Sequence, residues 1–401
     1  MGGGGKKNDT YRLNGTQDVI LKGLHGKVGF AMQRLVEKAT GERGTYFTLT
    51  GQFAQHYLTP GLQELATYYS NRMSYEEVAG LVERMSGVNV LSDQRIEQLV
   101  LDTAVTISET LAAATVIDAE EVPVAVPTAN PTVDVYASST AEMLLFDDGI
   151  GVKAQKPTRQ RHEATPATGL SDEDGAKRII TDVIMLERSD GQYHYLCEGI
   201  DHHGDTLISL EACVRQALQA EYGDHVEPLN IVAITDGAST IRKTLEAIFG
   251  APPVIILDWY HLRKKTRELL SMIARNKAEK EQHLEVMLAS LWAGDTEQAL
   301  SYLKTEVVVR NAVKHAELIG YLEKHRHEII DYGARQAVGK AIGSGRMEKG
   351  VDQVVGQRQK KKAMSWSAKG SKALAILKVV ELNGQWNDFW FPSEQPDEAA
   401  A

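Results

Sequence analysis

Three carboxylates occupy places in this chain where a fixed charge could do chemistry. Asp148 follows the apolar run "MLLF" and an adjacent Asp147, and precedes Gly149. Asp236 ends the apolar stretch Ile231–Ile234 and precedes Gly237. Glu348 lies just behind Gly343-Ser344-Gly345. Carboxylates forced together repel, and each prefers to be neutral unless a cation joins them. Mg²⁺ relieves the repulsion, because it is a hard ion that takes one or two carboxylates and keeps waters and phosphate oxygens. Two such ions ~3.5–4 Å apart hold both the attacking and the leaving oxygen of a phosphodiester displacement. Each acid also has a plainer reading. Asp236 can cap the next helix. Glu348 in a first helical turn suits the helix dipole, with Ser344 as a natural cap. Asp148 before Gly149 can belong to a turn or bulge, and Asp147 leaves the register open.

Elements that would position these acids can be read from the pattern. "EMLLFDDGIGVKAQ", "RIITDVIMLER" and "YHYLCEGI" read as strands, the last two joined through "SDG" at 189–191, a hairpin signal. A helix comes next over about 206–222, then the strand ending at Asp236 and its helix, then "PPVIILDWYHL" as a buried strand. The order β-β-β-α-β-α-β predicts a mixed α/β sheet covered by helices. In such a sheet the first and fourth strands can lie side by side, which would bring Asp148 towards Asp236. Residues 266–335 carry only helical patterns and read as an insertion. It divides a core at 141–265 from a C-terminal part at 336–390 that carries Glu348.

Upstream, residues 15–115 read as helical. Within them, 73–100 has the shape of a helix-turn-helix: Ser74 can cap one helix, Gly87 sits in the connection, and Ser92 can cap the next. Residues 116–140, with three prolines, read as a linker with an extended edge strand. The Gly-rich 1–14 and the tail 391–401 are expected to be disordered.

The net charge of −10 excludes a protein that coats nucleic acid over its whole surface, though not one with a local basic track. Positive charge is concentrated in "RKKTR" at 263–267, "RQKKK" at 358–362 and, more loosely, 153–162. Two cysteines, Cys197 and Cys213, cannot build a disulfide framework or a Cys-based zinc site. No apolar run approaches the ~18 residues of a membrane span. The start "MGGGGKKND" lacks the apolar core of a signal peptide. The expectation is a cytoplasmic protein with no membrane partner.

Taken in order, "DDGIGVKAQ", "ITDGAS", "ILDWYHLRKK", "IGSGRMEKGVDQVV" and "RQKKKAMSWSAKGSKAL" resemble the signatures of DDE transposases of bacterial insertion sequences, the Mutator-like branch. The resemblance covers most of 140–390. It implies an RNase H-like catalytic domain, interrupted by a helical insertion, behind an all-α DNA-binding region. It makes Asp148, Asp236 and Glu348 the catalytic and metal-binding triad for two Mg²⁺ ions, with Mn²⁺ able to substitute. Asp258 and His261 in "DWYH" match a supporting element. Lys153, Arg263, Lys264, Lys265, Arg358, Lys360, Lys361 and Lys362 would neutralise DNA phosphates. Trp366 could stack on a base or pack in the core. The implied activity is cleavage at transposon ends and strand transfer into target DNA. The partner would be double-stranded DNA, bound by a homodimer or larger assembly. A DNA-binding descendant that no longer cuts, and an RNase H-like nuclease without strand transfer, stay open as alternatives. The chain departs from the family in lacking a Cys-rich zinc module and an overall basic charge, which bears on how DNA would be recognised.

Overall fold

The computed structural model describes residues 10–49, 57–120, 128–155, 178–188, 190–223, 227–250, 253–361 and 364–392. The expected disorder at 1–14 and 391–401 therefore falls largely outside the described residues, as do Lys362 and the end of the basic run at 153–162. The chain divides into two units, residues 1–104 with 384–401, and residues 105–383.

In the first unit, the helices expected from residue 15 begin only after residue 45. Ahead of them lies an antiparallel sheet of β1 (Tyr11–Gly23), β2 (Gly26–Glu37) and β3 (Arg43–Thr45), in that order. Leu24 and His25 turn β1 into β2, and Gly26 takes a positive φ of 111°. The reason for the misreading is physical. Apolar alternation marks a strand only when one face is buried, and β1 is exposed at seven consecutive positions from Arg12 to Asp18. The subsequent helices are α1 (Tyr46–Leu49), α2 (Pro60–Ser70), α3 (Tyr75–Ser86) and α4 (Asp93–Glu120). Ser74 and Glu77 form a reciprocal capping box, Gly87 closes α3 in the left-handed region, and Ser92 accepts from the Arg95 amide at 3.2 Å. These are the expected bounds of the helix-turn-helix segment. Leu62, Val78, Val82, Leu91, Ile96 and Leu99 form its core.

The second unit is mixed α/β. It contains β4 (Met143–Lys153), β5 (Arg178–Glu187), β6 (Tyr193–Leu196), the small pair β7 (Gly199–Ile200) and β8 (Thr206–Ile208), α5 (Leu210–Tyr222), β9 (Ile231–Thr235), α6 (Ser239–Phe249) and β10 (Val254–Leu257). The helix expected from 206 thus begins at 210, after a strand. The main sheet has the order β10-β9-β4-β5-β6. β4 is antiparallel to β5 and parallel to β9, and β9 is parallel to β10. Among the described residues of the linker, the extended pairing is one bridge, Ala129 to Leu229. Leu145, Ile184, Ile231 and Ala233 on one sheet face pack with Val214 and Leu218 of α5 and Leu245 of α6.

Five helices then run through the insertion: α7 (Trp259–Ile273), α8 (Lys277–Trp292), α9 (Thr296–Thr305), α10 (Ala312–Lys324) and α11 (Tyr332–Ala337). Asn276, Asp295, Asn311 and Asp331 cap four of them, each accepting a backbone N–H of its own first turn. After α12 (Gly345–Val351) the chain makes a π-helical turn at Asp352–Gly356, continues as α13 (Gln357–Gln359), and returns as α14 (Ala368–Leu382). α12 packs on β4 and β5, and α14 on β5, β6 and β7. α15 (Trp386–Trp390) belongs to the first unit, where the Trp386 indole donates to Glu64 at 2.8 Å. No helix among the described residues is long and apolar enough to cross a membrane.

One buried ionic cluster holds the second unit together behind the sheet. Arg335 on α11 is fully buried and donates to both oxygens of Glu142 at 3.0 and 2.7 Å, while Lys340 reaches the same carboxylate at 2.6 Å. Arg335 also donates to the carbonyls of Val135 and Ala341. Removing one member of such a pair leaves an uncompensated buried charge, at a cost of about 3–5 kcal/mol. Glu142→Ala should therefore lower unfolding free energy in urea by about 3 kcal/mol or more. A loss comparable to that of an exposed ion pair would show that water reaches Arg335.

Candidate active site

The parallel pairing of β4 with β9 ends at Phe146 opposite Ile234. Two residues further along each chain stand Asp148 and Asp236, so the two acids leave adjacent strands at the same level. Side chains alternate across a strand, and this separates the neighbouring acids. Asp147 shares its parity with Leu145 and lies near Asp182 and Glu211, whereas Asp148 lies near Asp236, His261 and Glu348. The structure thus brings Asp148, Asp236, Glu348 and His261 into one neighbourhood, while Asp147, of the opposite parity, feels Asp182 most and Asp148 and Asp236 after it. Gly149 has its own cause: a Cβ there would fall 2.6 Å from Asp182 Oδ1.

Charge accumulates at this end of the sheet. Burial raises the Asp148 carboxyl above its ordinary range, with Asp236 adding to the effect. Burial, then Asp182 and Asp148, push Asp147 up to about 7. His261 moves the other way in charge. Its hydrogen bond to Asp258 raises the imidazole, burial opposes it, and the charges of Asp258, Asp236 and Glu348 favour the proton further. A cationic imidazole is therefore favoured among the acids.

Asp258 sets the geometry of the region. It caps α7, its Oδ1 accepting the His261 amide at 2.8 Å, while Oδ2 accepts the Ser344 hydroxyl at 2.5 Å and the Ser344 amide. Ser344 stands at the start of α12, but its hydroxyl goes to Asp258 and does not cap that helix. The carboxylate thus fixes the end of β10 to the start of the helix that carries Glu348. Gly343 permits the approach, since a Cβ there would lie 2.5 Å from the Tyr260 ring. Asp236 is likewise no helix cap. Ala238 is the cap residue of α6, and the Asp236 Oδ1 instead accepts the Ala238 amide at 2.8 Å in a local turn. Asp236 and Glu348 are both exposed.

Among the described residues, no three Asp, Glu, His or Cys side chains converge closely enough to ligate one metal ion. The donor set still fits a hard cation in kind, being carboxylate oxygens with no thiol among them.

The basic residues separate into different environments. Lys153, Lys360 and Lys361 line a groove of about 510 Å³ together with Arg178, which the sequence reading missed, and among the described residues no acid lines it. Arg263 and Lys264 are exposed on α7, while Lys265 is paired with Glu317 at 3.0 Å. Arg358 departs from the expected set: it is buried, its guanidinium 4.7 Å from the Trp366 ring centre. Trp366 is itself buried and donates to the Gln359 carbonyl at 3.0 Å, so its place is in the core.

The protein-family comparison matches residues 159–389, a span that holds Asp236, Asp258, His261 and Glu348. The chain belongs to the uncharacterised protein family UPF0236. In this UPF0236 chain the match begins after Asp148 and Lys153. A comparison with curated proteins finds no match.

The Asp258 contacts predict a pH effect. Burial opposes its charge, but the hydrogen bonds from His261 and Ser344 outweigh it and bring the carboxyl from 3.8 down to about 2. A depressed carboxyl stabilises the fold above its unfolded value, and this is lost as pH falls through the folded one. Wild type should exceed Asp258→Asn in stability by about 2 kcal/mol at pH 5, and the difference should close between about pH 4 and pH 2. Parallel acid titrations by circular dichroism of the two proteins measure it. A difference that persists unchanged to pH 2 would contradict the assignment.

Proposed function

We propose that this UPF0236 protein is a DNA transposase, with an RNase H-like core that cuts at an element's ends and joins them to target DNA. The single observation that carries the reading is the convergence of Asp148, Asp236, Glu348 and His261 from β4, β9, α12 and α7. A central first strand with antiparallel neighbours on one side and two parallel strands on the other supports an RNase H-like fold. The groove of Lys153, Arg178, Lys360 and Lys361 supports a polyanionic partner. Lys153 lies five residues beyond Asp148 on β4, about 17 Å at the usual strand rise. Cations there suit DNA phosphates on either side of a reacting one.

Asp148, Asp236 and Glu348 are the residues that would hold Mg²⁺, which supplies charge stabilisation to the attacking and leaving oxygens when bound. The protein's own contribution is placement. Asp258 fixes the start of α12 against the end of β10, so that Glu348 is presented beside the two strand-borne acids. His261, favoured as a cation, offers an N–H to a non-bridging phosphate oxygen. In the cut, a water oxygen bonds to phosphorus as the bond to the 3′ oxygen breaks, leaving a 3′-hydroxyl and a 5′-phosphate. In joining, the oxygen of that 3′-hydroxyl bonds to a target phosphorus as the target strand's own bond to its 3′ oxygen breaks; the attacking hydroxyl gives its proton to solvent and the released 3′ oxygen takes one up. No covalent protein intermediate enters. The protomer number on DNA is set by the need to bring two ends together.

A DNA-binding protein that does not cut is the second reading, favoured by the lack, among the described residues, of three ligating side chains within reach of one ion.

The deciding assay uses labelled DNA carrying the element's ends, with Mg²⁺ or Mn²⁺ against EDTA. Metal-dependent nicking and joined products are expected. Asp148→Asn, Asp236→Asn and Glu348→Gln should each lower the rate by about 100-fold or more, while Asp147→Asn should stay within a few-fold of wild type. Nicking without joining would make it a nuclease. Binding with no cleavage in any metal would make it a binder.

A further inference from the structure

The helical insertion does more than interrupt the core, because its exit touches the turn that carries Asp236. Gly237 has a φ of +85°, and a Cβ there would lie 2.5 Å from His325 Cε1, so the buried imidazole lies directly on the turn. Lys324, the last residue of α10, donates from Nζ to the Gly237 carbonyl at 3.3 Å. His325 Nδ1 lies 2.6 Å from Glu328 Oε2, and Arg242 of α6 donates from Nε to Glu328 Oε1 at 2.5 Å. The same stretch also grips the next strand. The Glu328 carbonyl accepts the Leu257 amide at 3.0 Å, and the Tyr332 hydroxyl donates to the Leu257 carbonyl at 2.7 Å.

Nine residues, 324–332, therefore touch both Gly237, one residue after Asp236, and Leu257, one residue before Asp258. Loops between secondary elements are ordinarily the mobile part of a fold. Here the turn is held on one side by a lysine at its carbonyl and on the other by an imidazole that is itself fixed by a buried carboxylate and a guanidinium.

We infer that Lys324, His325 and Glu328 are positioning residues that hold the Asp236 turn in place, making the insertion's exit part of the active-site framework. The inference rests on the proposed function for its consequence in catalysis, though not for the contact itself. Loosening the turn frees the Asp236 carboxylate from the level of Asp148, and outer contacts of this kind typically change metal affinity by about 10–100-fold.

The Ala238 amide reports the turn directly, because it donates to Asp236 Oδ1. Four full-length variants test the inference: Lys324→Met, which is at the surface and leaves the core intact; Glu328→Gln; Arg326→Met as a neighbour paired with Glu297 within the insertion; and Asp236→Asn. Amide exchange at Ala238 should accelerate by about tenfold in the first two, with exchange in α5 unchanged. Mn²⁺ binding measured by calorimetry without DNA should weaken by about tenfold in the same two, and Arg326→Met should match wild type in both. Faster Ala238 exchange in Lys324→Met with α5 unchanged supports the inference even where Glu328→Gln accelerates exchange in α5 as well, since that variant can lose wider structure. Exchange and affinity within about twofold of wild type in Lys324→Met would overturn it. Acceleration that spreads equally into α5 would also overturn it, as a plain loss of stability. Asp236→Asn separates the two questions. Mn²⁺ binding that survives that variant removes the metal reading, and Ala238 exchange in Lys324→Met then decides the positioning role alone.

Discussion

One buried carboxylate sets the arrangement at the end of the sheet. Asp258 accepts an amide from its own helix and both an amide and a hydroxyl from Ser344, eighty-six residues away. Together with the Trp259 amide, which donates to the Ile342 carbonyl at 3.1 Å, it fixes where α12, and with it Glu348, emerges. A charged acceptor suits this task better than a neutral one, because hydrogen bonds to an ionised oxygen are shorter and roughly twice as strong. The approach is close enough that a side chain at position 343 would have to displace the Tyr260 ring. The Gly-Ser pair before α12 therefore belongs to the joint as much as Asp258 does.

The second unit was largely legible because its strands are buried. "IVAIT" is buried at every position, and such a run can be read without knowing its neighbours. The adjacency of the first and fourth strands was legible as well, since an apolar run returning after a helix suits a parallel neighbour. The bounds of α3 and the start of α4 were visible because Ser74, Gly87 and Ser92 are local signals. The β1–β2 sheet was not, since a strand exposed on both faces leaves no periodic trace. At the candidate site, the identities of the acids could be read, but the choice between Asp147 and Asp148 required knowing which face each occupies. The clamp from Lys324, His325 and Glu328 has no sequence signal. It depends on two segments more than eighty residues apart meeting at Gly237.

The distribution of charge also depends on position more than on count. A chain with a net charge of −10 places acids on both faces of β4 at its middle, and gathers cations in a groove at the end of the same strand. The first arrangement is costly for the folded state unless a cation is near. The second attracts a polyanion locally while the molecule as a whole would repel one.

The π-helical turn at Asp352–Gly356 has a consequence for angular phase. An α-helix advances 100° per residue, so eleven residues come back to within about 20° of their starting direction. In an unbroken α-helix Gln359 would therefore share the exposed face of Glu348. The wider turn accommodates one extra residue and rotates the residues beyond it by about one step. Gln359 is accordingly buried, its amide donating to the Ser371 carbonyl at 3.0 Å, and Arg358 is buried beside it. One helical stretch thus presents an acid to solvent at its start and inserts a polar anchor into the interior at its end. A single widened turn lets the same stretch face two directions.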